Sequence, residues 1–132
     1  MSDPSSGARE SLTARTDAIE EAYEFFLAYA SQGLPTENAQ IRDFLGQLER
    51  ALDGLGPFFT DYIAVRQLDV DPFRAFIEVI DRDAHSALAA VRMVIAQPSI
   101  NSQIIDSLNA NIHVRAMLTD VFLIDEVLKG GN

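Results

Sequence analysis

The apolar residues Phe73, Phe76, Ile77, Ile80, Ala84, Ala87, Leu88, Val91, Val94 and Ile95 recur at i, i+3, i+4 and i+7. That spacing lays one continuous apolar stripe along a long helix. A second helical arm follows from Ile100 to Leu128. Pro98 must separate the two, because it lacks a backbone donor and its ring clashes with the preceding turn. Two such arms joined by a short connection are expected to lie antiparallel and to need further helices against their faces. The second arm carries Ile100, Ile104, Leu108 and Ile112 on one side but Met117, Val121, Ile124 and Leu128 on another. A single partner surface satisfies both halves only if the helix bends or meets a second chain. The expectation is a second copy related by twofold symmetry, since closed dimers are the commonest oligomers.

Upstream, residues 1–10 are Ser, Gly, Pro and charge, the composition of a disordered tail. A helix is expected from Ser11, with Leu12, Ile19, Ala22, Tyr23, Phe26 and Ala30 on one face and Gly33 and Pro35 as its stop. Thr36 suits the cap of the next helix, whose stripe is Ile41, Phe44, Leu45, Leu48, Leu52 and Leu55. A short helix opens near Pro57 and carries Phe58, Phe59, Tyr62 and Ile63. Asp71 is expected to cap the long helix, with Pro72 at its first position. No strand-type alternation of useful length occurs. The prediction is therefore an all-α fold, an antiparallel helical bundle of four main helices and one short one, forming a single domain over residues 11–132.

Charge and composition narrow the function. With 20 Asp and Glu against 10 Lys and Arg, the formal net charge is −10, and the basic residues are scattered. Such a surface repels phosphate backbones and anionic membranes, so nucleic acid and membrane are not expected as partners. Without cysteine there is no disulfide, thiolate zinc site or thiol nucleophile, which fits a cytoplasmic protein. Charges such as Asp81, Arg82, Asp83 and Arg92 interrupt every long apolar run, so no membrane span is expected. No Gly-x-Ser-x-Gly elbow and no phosphate-binding glycine loop occurs, and an enzyme is not expected.

The candidate sites are few. Asp81 and His85 stand at i, i+4, and Asp106 and His113 at i, i+7, which makes a carboxylate-histidine ligand site between the two long arms conceivable. The spacing is not the Glu-x-x-His of di-iron bundles, and both histidines share their helix side with charged residues, so neither metal nor cofactor is expected. Asp69-Val-Asp71 resembles the start of a calcium loop but lacks its Gly and Glu. The doublets Phe25-Phe26 and Phe58-Phe59 place neighbouring rings about 100° apart on a helix, which one buried face cannot cover. The expectation is a protein-binding module, an adaptor, assembly factor or regulatory subunit, working as a homodimer. Its interface would draw on Met117, Val121, Ile124, Leu128, Phe58 and Phe59.

Overall fold

The computed structural model describes residues 4–130, which form six α-helices and, among the described residues, no strand. They are α1 (Pro4–Ser31), α2 (Ile41–Leu52), α3 (Leu55–Val65), α4 (Asp71–Ile95), α5 (Ser102–Ala110) and α6 (Ile112–Gly130). α2 lies between α1 and α4 and packs on both, burying Ile41, Leu45, Leu48 and Leu52 from its stripe. α4 also receives α6 along its length and α3 near its start, while α5 packs chiefly on α1. The all-helical prediction is thus met, with one helix more than expected.

The extra helix comes from a break in the second arm. Asn111 adopts an extended conformation, with ψ at 131°, where α5 ends. Its side-chain oxygen then accepts from the amides of His113 and Val114, at 3.0 and 3.3 Å. One asparagine therefore stops α5 and caps α6. The break re-aims the helix, so Ile100 and Leu108 of the first side and Met117, Val121, Ile124 and Leu128 of the second are buried in the same chain, while Ile112 is left exposed. The bend buries the Met117, Val121, Ile124 and Leu128 side, expected at a dimer interface, within the chain's own core.

Other helix ends also differ from expectation. α1 begins at Pro4, so residues 4–10, expected to be disordered, are helical; residues 1–3 lie outside the described residues. Thr36 does not cap α2, which starts at Ile41 behind a turn where Asn38 Oδ1 accepts from the Gln40 amide. Asp71 is already the first residue of α4, and Asp69 accepts its amide hydrogen bond instead. The expected restart after Pro98 is met by Asn101, whose side chain accepts from the Ile104 amide at 2.9 Å.

Arginines serve the C-terminal ends. Arg42 donates to the carbonyls of Ile95 and Gln97, at 2.7 and 2.6 Å, just where α4 runs out of intrahelical donors. Its guanidinium also grips Glu37 at 2.8 and 2.9 Å, and Glu37 accepts the Ile100 amide. The hydrogen bonds from Arg42 hold the Glu37 carboxyl below the usual carboxylate range. Arg15 of α1 likewise donates to the carbonyls of Ala51 and Asp53 at the end of α2. A cation thus meets the negative pole of each of these two helices.

Candidate functional site

The residues expected to meet a partner are placed first by their helices. Met117, Val121, Ile124 and Leu128 fall on the inner side of α6 and are 0–4% exposed, packed within the chain's own core. Phe59 is fully buried as well. Phe58 is half-buried, with the Arg15 guanidinium 4.5 Å from its ring centre. Phe26 is buried, while Phe25 stacks on Phe44 with ring centres 4.0 Å apart. Each doublet therefore sends one ring into the core and covers the other with a neighbouring helix. These side chains are spent on the fold.

What α6 leaves outside is the opposite line. Ile112, Ala116, Thr119, Leu123 and Val127 are spaced so that a 3.6-residue helix puts them on one side. Ile112 is 74% exposed, Leu123 57% and Val127 49%. Met93, 63% exposed on α4, borders a groove that also includes Asn111 at the start of α6. Arg115 and Glu126, both exposed, flank the same side near opposite ends of the helix. The sequence alone did not separate this line from the buried one, because both are largely apolar. The signal lay in the break at Asn111, which sets which side of α6 turns inward.

The four candidate ligand residues are not gathered. His85 is exposed, its Nδ1 2.7 Å from the Asp81 carbonyl and 3.7 Å from the Asp81 carboxylate. Asp106 stands exposed on α5 and His113 exposed on α6. Among the described residues no group of three or more His, Asp or Glu is placed to hold a metal ion. A groove of about 570 Å³ runs between α3 and α4, lined by Gly56, Thr60, Glu78, Asp81 and Arg82 among others. Gly56 is needed there, because a Cβ would lie 2.6 Å from that of Asp81. Tight helix contact explains this glycine.

One polar feature was missed from the sequence. Asp83 of α4 and Asp120 of α6 face each other across the contact of those helices, both half-buried and joined through their side chains. Two carboxylates cannot hydrogen-bond without a proton between them, and the buried Asp120 Oδ2 has no hydrogen-bond partner among the described residues. Burial, and then the adjacent Asp83, push the Asp120 carboxyl up to about 7. The sequence signal was available in hindsight: each aspartate borders the apolar stripe of its helix, Asp83 one turn from Ile80 and Ala87, Asp120 one turn from Met117 and Ile124.

No helix among the described residues is long and apolar enough to cross a membrane. Compared with protein-family models, curated proteins and solved structures, the chain matches none of them.

Proposed function

We propose that this chain is a protein-binding helical module that pairs with a second copy of itself through the outer side of α6. In this reading α1, α2, α4 and α6 form an antiparallel bundle, with α3 and α5 closing its ends. The observation that carries the proposal is the exposed apolar line of Ile112, Leu123 and Val127. Large apolar side chains aligned on one helix face mark an interaction surface more than scattered ones do. The line is self-complementary. Turning a second α6 antiparallel brings Ile112 near Val127 of the copy and Arg115 near its Glu126. A parallel pairing would set like charges together.

Fully burying three such side chains contributes roughly 4.5–9 kcal/mol, at about 1.5–3 each. Association costs about 4–15 kcal/mol, so the contact must extend to flanking surface such as Met93. The acidic charge of −10 and the lack of cysteine suit a module of the cytoplasm that acts as an adaptor or regulatory subunit. Sedimentation at micromolar concentration tests the pairing, with a dimer mass expected. Leu123→Glu with Val127→Glu should give a monomer of unchanged helix content. Arg115→Glu should weaken the dimer and the added Glu126→Arg restore it. A wild-type monomer would refute the proposal.

A further inference from the structure

We propose that a proton shared by Asp83 and Asp120 clasps α6 to α4, and that its loss loosens this contact. The two side chains meet at the seam between these long helices, and the buried Asp120 Oδ2 has no hydrogen-bond partner among the described residues. The residues one turn from either aspartate carry no charge: Val79, Ile80, Ser86 and Ala87 on α4, Ala116, Met117, Leu123 and Ile124 on α6. Asp83 is the charged group that faces Asp120 from α4. On the far side of α6, toward α1, Asp125 pairs with Lys129 at 2.8 Å, and Glu20 acts on that lysine. Toward α5, Arg115 donates to the Asn109 carbonyl. Along α6, His113 stands two turns before Asp120; beside Asp83 in sequence, Arg82 is exposed and His85, also exposed, binds the Asp81 carbonyl. With the proton present the pair is a hydrogen bond. Without it, two half-buried carboxylates repel across the seam.

The sign follows from which state holds the proton. An aspartate freed by unfolding titrates near 3.8, whereas folded Asp120 holds its proton up to about 7. Between those values the folded chain binds more protons, so stability falls as pH rises and levels off above about 7. Urea unfolding of the full chain reads this directly. The wild-type midpoint should fall from about pH 5 to about pH 7.5 relative to Asp120→Asn, whose amide donates to Asp83 without titrating. Hydrogen exchange, corrected for its intrinsic pH dependence, should show α6 losing protection over the same range in the wild type alone. An equal fall in the variant would overturn the clasp. Carbon-13 titration of the wild-type Asp120 carboxyl decides the matter even if the variant fails to fold. A midpoint in the ordinary aspartate range would overturn the proposal, and one near neutrality would uphold it.

Discussion

Tyr29 shows how one side chain joins distant parts of the chain. It is 1% exposed, yet its hydroxyl donates to the Ile100 carbonyl at 2.6 Å and accepts the Asn38 amide at 3.0 Å. Its own carbonyl accepts from Ser102 Oγ at 2.6 Å, and the same Ser102 oxygen accepts the Leu34 amide. The end of α1, the loop after it and the connection into α5 are thus tied at one point. Tyr29→Phe keeps the ring but leaves a buried carbonyl and an amide unpaired. It is expected to cost about 1–3 kcal/mol, the usual penalty for orphaned buried groups, as read by chemical unfolding. Loss of less than half that would mean water takes over both partners.

At the scale of elements, the ends of the helices carry the specificity. α3 is the clearest case, bounded by left-handed residues on both sides, Gly54 before it at φ 66° and Gln67 after it at φ 57°. At the exit the Leu68 amide reaches the Ile63 carbonyl at 3.1 Å and the Gln67 amide that of Ala64 at 3.0 Å. This is a Schellman end, which glycine would fill without the steric penalty that glutamine bears. Gln67→Gly is expected to raise stability by roughly 1 kcal/mol, the lower end of the left-handed penalty. Thermal unfolding checks it, and an unchanged or lowered midpoint would mean that the glutamine side chain compensates for its backbone.

For the whole molecule the deciding feature is which side of α6 faces in. Ile124 is 2% exposed and its chain neighbour Leu123 is 57% exposed. Ile124→Ala should therefore cost about 2–5 kcal/mol, as core truncations do. Leu123→Ala should change monomer stability by less than about 0.5 kcal/mol, as surface changes do. Urea unfolding of the two variants, at a concentration too low for association, separates them. The opposite ranking would put the other line of α6 inside and remove the basis for the proposed pairing.

Local chemistry alone determined much of this protein. The stripes of α2 and α4, the stop at Gly33 and the interruption at Pro98 follow from helical spacing and backbone preference, and all stand in the structure. What the sequence did not settle depends on contacts between residues far apart in the chain. Asn111 can ride in a helix or end one, and only packing α5 on α1 while α6 runs along α4 selects the break. The arginine caps join Arg42 to Ile95 and Arg15 to Ala51, pairs with no local signature. Likewise Asp83 and Asp120 are two ordinary acidic residues until α4 and α6 come together, because it is burial at that seam which makes them share a proton.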